Sequence, residues 1–299
     1  MPGISSLWIP FTLTGALGQV ARNAMQRQLT GPLGTWGATN IRFLFGFPFA
    51  ILFFAVVLLA SGDPLPWPAP AFWPWLLLGA ISQIIATGLM LVAMNDSSFV
   101  VTTAYIKTEA IQTAIFGFVF LGDHLTTLKV IAILVASAGV IITALRPGGP
   151  KGFGGFRPTM VGLVSAAMFA LSANGYRGAI IVIQGVSFVT AASYTLVLGL
   201  FVQTLMLTIY LLARAPGVLK AILRLWKPSL LAGFMGAFAS QFWFLAFALT
   251  AAANVRTLAL VEVLFAQGVA HYSFKQPLTR RELGGTALIV IGVALLVAA

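Results

Sequence analysis

"TAYIKTEAIQTAIF" occupies residues 103–116. It lies inside a long apolar run, yet it carries Lys107, Glu109 and Gln112. A charge at the centre of a membrane helix costs about 2.5–3.5 kcal/mol on insertion scales, so it persists where it is paired, wetted or used. Whether the apolar run is a soluble core or a membrane span therefore decides both the fold and the meaning of the three polar residues.

Composition answers the first question. The chain has 299 residues, 60% hydrophobic and 8% charged, with a mean hydropathy of +1.00. Soluble domains carry about 25% charged residues, so the chain reads as an integral membrane protein. Close helix contacts and interhelical hydrogen bonds hold such a bundle together, and 30 glycines suit it. With no cysteine, disulfides, thiolate metal sites and cysteine nucleophiles are excluded. The opening "MPGISSLWIPFTLTGALG" lacks the basic segment of a secretory signal peptide and reads as a retained helix. In this setting a net charge of +11 bears on topology and not on nucleic acid binding.

Crossing the hydrocarbon takes about 20 apolar residues. Breaks at Pro, Gly and charge leave ten candidate spans: 7–28, 33–60, 71–94, 98–121, 127–145, 158–182, 187–213, 228–249, 252–272 and 282–299. The second and seventh are longer than the bilayer requires, which predicts tilt or broken ends. Position i in the first half matches i+153 in the second over long stretches: Gly46 with Gly199, Ala86 with Ala239, Glu109 with Glu262, and Gly139-Val140 with Gly292-Val293. The register predicts two repeats, 1–150 and 151–299, of five spans each. An odd number of spans inverts the second repeat, an arrangement that goes with transport and a binding site near the midplane.

Of the 17 Lys and Arg residues, twelve, Arg22 among them, fall on the side opposite the termini or at helix ends near it. Lys129 and Arg177 fall on the side of the termini, while Arg42, Lys107 and Arg256 lie in or at the edge of spans. The positive-inside rule places the twelve in the cytoplasm and both termini outside it. Tryptophans flank the two boundaries as an aromatic belt would, Trp8, Trp67, Trp73 and Trp75 on one side and Trp36 and Trp226 on the other.

The segment "KTEAIQTAIFGFVFLGDHLTTLKVIAILVASAGVIIT" (107–143) resembles the end of an EamA repeat of the drug/metabolite transporter superfamily, with its polar pair, apolar helix, "LGE-x-LT" motif and glycine-containing last helix. "VEVLFAQGVAHYSFKQPLTRRELGGTALIVIGVALL" (261–296) resembles the second copy. The acid of "LGE" is Asp123 in the first copy and is replaced by Gln276 in the second. The resemblance implies an all-α polytopic membrane protein with ten transmembrane helices in two inverted five-helix repeats. It also implies export of amino acids or other metabolites, with YddG-type amino-acid exporters a related subgroup. Many members have cytoplasmic termini; here the charge bias sets the expectation.

Lys107 and Glu109 are two positions apart, about 200° around a helix, and cannot share a face, so Lys107, also a candidate substrate-binding residue, looks toward another helix or a different cavity wall. Tyr105, Glu109, Gln112 and Thr113 can share one, and they form a polar stripe fit to line a cavity. Glu262, the repeat mate of Glu109, reads either as a proton-coupling carboxylate, like Glu109, or as a structural acid. Its structural partner would be Arg256 or a base on another helix. In the family the cavity is lined by the first, third and fourth helices and their mates. That adds Gln19, Asn23, Gln83, Asn174, Tyr176, Gln241 and Trp243 to the candidate substrate-binding residues. Amides offer donors and acceptors to both ends of a zwitterion, and Trp243 an apolar or cation-binding face. The bland alternative for each amide is a hydrogen bond between helices.

His124 and His271 stand without cysteine or HExxH, so no metal and no cofactor are expected. No GxxxxGK[ST] loop is present, which leaves a solute or proton gradient as the energy source. The expected protein is a monomeric exporter of amino acids or similar small metabolites in the inner membrane of a bacterium, working by alternating access. Efflux of hydrophobic or cationic compounds is the second reading. An intramembrane enzyme is the remote one, since no nucleophile–base pair is present.

Overall fold

A computed structural model describes residues 4, 6–96, 102, 105–144, 156–265, 267 and 279–299. The start of the fourth expected span, the end of the ninth, and His271, Lys275 and Gln276 lie outside the described residues. The described residues form helices and loops: α1 (Trp8–Gln28), α2 (Thr30–Leu44), α3 (Gly46–Ser61), α4 (Phe72–Asp96), α5 (Glu109–Phe116), α6 (Thr127–Ala144), α7 (Phe156–Ile181), α8 (Phe188–Arg214), α9 (Pro216–Arg224), α10 (Trp226–Leu249), α11 (Ala252–Leu258) and α12 (Arg280–Ala298). Six stretches among them are long and apolar enough to cross a membrane: Thr30–Ser61, which α2 and α3 share, and α4, α7, α8, α10 and α12. Shorter than these is the apolar helix Thr127–Thr143. The protein is an all-helical, polytopic membrane protein.

Several span ends are broken, each for a local reason. The long run 30–61 is interrupted at Phe45. Pro48 lacks the N–H that would reach the carbonyl of Leu44, and its ring crowds that carbonyl. Nearer the start, Gly34 takes φ 67° and ψ 176°, a backbone that glycine alone adopts readily. Downstream of α5 the chain widens into a π-turn, Gly117–Leu121, and stops at Gly122 with φ 66°. The break expected at 214–228 is itself partly helical. α9 starts with Pro216 in its first turn, buries Ile222 and leaves Lys220, Leu223 and Arg224 exposed. Its composition satisfies an amphipathic surface helix, which a search for apolar runs passes over.

The three most extensive helix pairings each join the first half of the chain to the second: α4 with α7, α6 with α12, and α1 with α10. Small residues permit the approach. A Cβ on Gly175 would fall 2.6 Å from the backbone nitrogen of Gly79, and one on Gly139 2.6 Å from the carbonyl oxygen of Gly285. At the end of the bundle near Trp8, the loop after α3 is tied to α8. Asp63 accepts hydrogen bonds from the Ser187 backbone N–H (3.0 Å) and the Thr190 hydroxyl (2.6 Å). The hydrogen bonds from Ser187 and Thr190 hold the Asp63 carboxyl down at about 2. Ser187 in turn caps α8, accepting from the Thr190 backbone N–H at 3.3 Å.

Candidate functional site

Two helical segments meet where the polar residues of "YIKTEAIQ" lie. On one, residues 105–107 are helical, Thr108 is a turn, and α5 begins at Glu109. On the other, α11 passes into a tight 3-10 turn, Ala259–Val261, and Glu262 follows it. At the 153-residue register Thr108 matches Val261, so both segments depart from regular α-helix immediately before their glutamate. A helix start favours a carboxylate, because the unpaired N–H groups there carry partial positive charge. Interrupted helices in corresponding positions of two halves are the best sequence-level pointer to a transporter's binding site.

The charges at this place form two crossed ion pairs. Lys107 Nζ donates to Glu262 Oε2 at 2.7 Å. Glu262 Oε1 also accepts from Gln19 Nε2 at 3.2 Å. In the reverse sense, Arg256 Nη1 lies 3.6 Å from Glu109 Oε1. Each glutamate therefore meets a base from the other half of the chain. All four charged groups are buried. The Arg256 guanidinium also lies over Trp243, 4.7 Å from the ring centroid, and 5.4 Å from that of Phe247. Aromatic faces attract such a cation, more strongly when water is excluded. Of the two partners foreseen for Glu262, the base on another helix is the one observed, and Arg256 serves Glu109.

The remaining candidates are placed as follows. Tyr105 and Glu109 turn to different partners: the Tyr105 hydroxyl accepts from Thr159 Oγ1 at 2.9 Å, on α7. Gln112 Nε2 reaches back to Thr108 Oγ1 at 3.3 Å. The stripe expected from an unbroken helix is divided by the turn at Thr108. Gln83, Tyr176 and Gln203 form a second group: Gln83 Oε1 accepts from Gln203 Nε2 at 2.9 Å and from the Tyr176 hydroxyl at 3.5 Å. Asn174 spans α7 and α5, donating to the carbonyls of Ala170 (3.0 Å) and Thr113 (3.1 Å). Gln241 donates to Ser193 Oγ at 2.7 Å. Asn23 accepts two hydrogen bonds from the neighbouring Arg22, at 2.7 and 3.2 Å. Gln83, Asn174 and Gln241 thus make the interhelical bonds that the bland reading assigned them. Gln19 and Lys107 meet at Glu262, while Glu109 and Trp243 meet at Arg256.

Sequence reasoning passed over three residues of this polar band. The charge pattern puts Arg22 with the boundary charges and Arg42 in or at the edge of a span, yet both are buried inside the bundle. Gln203, in the middle of α8, was not singled out. A mid-span amide was a readable signal. The burial of Arg22 was not, because a long side chain six residues from a helix end can equally well reach the headgroups. Asp123, left without a role, pairs with Arg177 at 3.3 Å, and Arg177 also donates to the Thr250 carbonyl at 2.8 Å.

Helices long and apolar enough to cross a bilayer, packed around buried, cross-paired charges, make a polytopic membrane protein. Residues 6–145 match the EamA-like transporter family, a match consistent with the drug/metabolite transporter superfamily. No curated protein matches the sequence. A solved structure described only as "Crystal structure of protein" aligns over 98% of this chain and 94% of its own, with a TM-score of 0.69 and 14% identity. That likeness is one of fold.

Proposed function

We propose that the protein is a secondary transporter that exports amino acids or similar small metabolites by alternating access, with its site at the crossed ion pairs. The observation that carries this reading is the reciprocity of those pairs. Lys107–Glu262 and Arg256–Glu109 each bridge the two halves of the chain, so any movement of one half against the other has to break or carry them. A solute with charged ends can exchange with them. Its carboxylate replaces a glutamate on Arg256 or Lys107, and its ammonium takes the released glutamate. A proton on Glu109 or Glu262 frees the partner base in the same way and couples a proton gradient to the cycle.

The proposal extends to architecture. The halves 1–150 and 151–299 are inverted repeats of five spans each, with ten spans in all and both termini outside the cytoplasm of a bacterial cell. The pairing of α4 with α7 is the repeat image of the pairing of α10 with α1, as a two-fold relation between the halves requires. The test is counterflow in proteoliposomes with a panel of labelled amino acids. A carrier gives saturable, trans-stimulated uptake of at least one. Linear, unsaturable flux of every solute would point to a channel and overturn the reading.

A further inference from the structure

The buried charges do not balance. Arg22, Arg42, Lys107 and Arg256 are 2–5% exposed, and the carboxylates buried with them are Glu109 and Glu262 alone. The chain has six acidic residues, and each has its place. Asp63 ties the loop after α3 to α8. Asp96 lies 3.8 Å from the exposed Arg157, and Asp123 faces Arg177. Glu282 closes the capping box of α12 with Thr279. Glu109 and Glu262 are committed to Arg256 and Lys107. No acid is left to pair directly with Arg22 or Arg42, and the buried charges carry an excess of two positive.

Their polar contacts are correspondingly thin. Among the described residues, Arg22 bonds only to the amide oxygen of Asn23, and its Nη1 has no hydrogen-bond partner. Arg42 Nη1 donates to Thr87 Oγ1 at 3.1 Å, and its Nε has no partner among the described residues. Arg256 Nε has none among them either. The two free-standing arginines converge. A Cβ on Gly236 of α10 would meet Arg42 Cγ at 3.1 Å and Arg22 Cδ at 3.6 Å. Arg22 lies within electrostatic reach of Arg256, Glu109 and Glu262, and Arg42 within reach of Arg22 and Arg256. Like charges held together in a low-dielectric interior repel strongly, and a buried charge without a counter-ion is among the least stable arrangements a bundle can hold.

We propose that Arg22 and Arg42, with Arg256 beside them, form an oxyanion site, and that the transported solutes carry net negative charge through a carboxylate or phosphate group. Guanidinium forks bind such groups through paired, charge-assisted hydrogen bonds. This deepens the transporter reading and rests on it. It narrows the metabolites to acidic ones: acidic amino acids, dicarboxylates and phosphorylated metabolites. Neutral and cationic compounds lack the charge that the cluster is missing.

The experiment is binding to the purified full-length protein in phosphate-free, low-chloride buffer. The probes are inorganic phosphate, L-glutamate, succinate, L-leucine and tetraphenylphosphonium, read by calorimetry and by the unfolding midpoint. At least one of the three anions is expected to bind and raise the midpoint, while leucine and tetraphenylphosphonium do not. Binding by phosphate alone assigns the phosphate class; binding by glutamate or succinate assigns the carboxylate class. Arg22→Gln and Arg42→Gln are each expected to weaken anion binding at least tenfold. Arg22→Lys and Arg42→Lys, which keep the charge needed for folding but lose the fork, should weaken it at least threefold. Failure of all three anions to bind folded protein, or unaltered affinity in the lysine variants, overturns the site. Counterflow separates the two proposals. Saturable leucine counterflow with no anion binding sinks the site and leaves the transporter. Anion binding without counterflow of any probe leaves the site and sinks the transporter.

Discussion

Glu262 is held by two groups from the other half of the chain, Lys107 at 2.7 Å and Gln19 at 3.2 Å. Removing one member of a buried ion pair leaves the other uncompensated, at a cost of about 3–5 kcal/mol, whereas replacing both with apolar groups of similar volume is often neutral. Lys107→Met alone is therefore expected to lower the unfolding midpoint clearly in detergent. The double change Lys107→Met with Glu262→Leu should return it to near the wild-type value. A double variant as unstable as the single one would deny that the pair is a unit. The sequence read half of this arrangement. Spacing put Lys107 and Glu109 on different faces, and they do face different partners. The partners themselves were not legible, because each pair closes a loop of about half the chain and local periodicity holds no information at that range.

Among the elements, helix existence followed from apolar runs, and the breaks followed from residues that interrupt them, such as Pro48 and Gly34. The turn at Thr108 and the 3-10 turn before Glu262 had no such marker, since no Pro or Gly stands at either place. α9 was missed because its apolar residues cover only one face. Two predictions belong here. A Val at Gly175 would place carbon where the α4 backbone already is, so Gly175→Val should separate α4 from α7. Overpacking of this kind costs about 1–3 kcal/mol or more, read as a lowered unfolding midpoint and reduced yield. The second concerns Asp63, whose folded carboxyl sits at about 2 against an ordinary 3.8. A lowered folded value contributes stability above the ordinary one, lost as pH falls from about 3.8 toward about 2. Asp63→Asn should remove that part of the acid sensitivity, checked by midpoints measured across this range; an unchanged profile would show that the loop tie contributes nothing.

For the whole molecule, the membrane setting was legible from composition, because a chain with so little charge suits lipid, and the helices from the length of its apolar runs. Orientation rests on where Lys and Arg fall. A periplasm-dependent reporter fused to the C-terminus is expected to be active and a cytoplasm-dependent one silent, and the reverse would overturn the charge argument. The absence of cysteine lets single cysteines be introduced without background, so each loop can be assigned to a side by labelling. What joins these scales is the claim that the crossed pairs between the halves are where solute is held during transport. The most direct measurement is counterflow in proteoliposomes containing the wild type or the folded Lys107→Met/Glu262→Leu variant. The account predicts saturable counterflow of a small metabolite by the wild type and its loss in the variant, with the protein equally folded and inserted. Counterflow at the wild-type rate through the variant would contradict it.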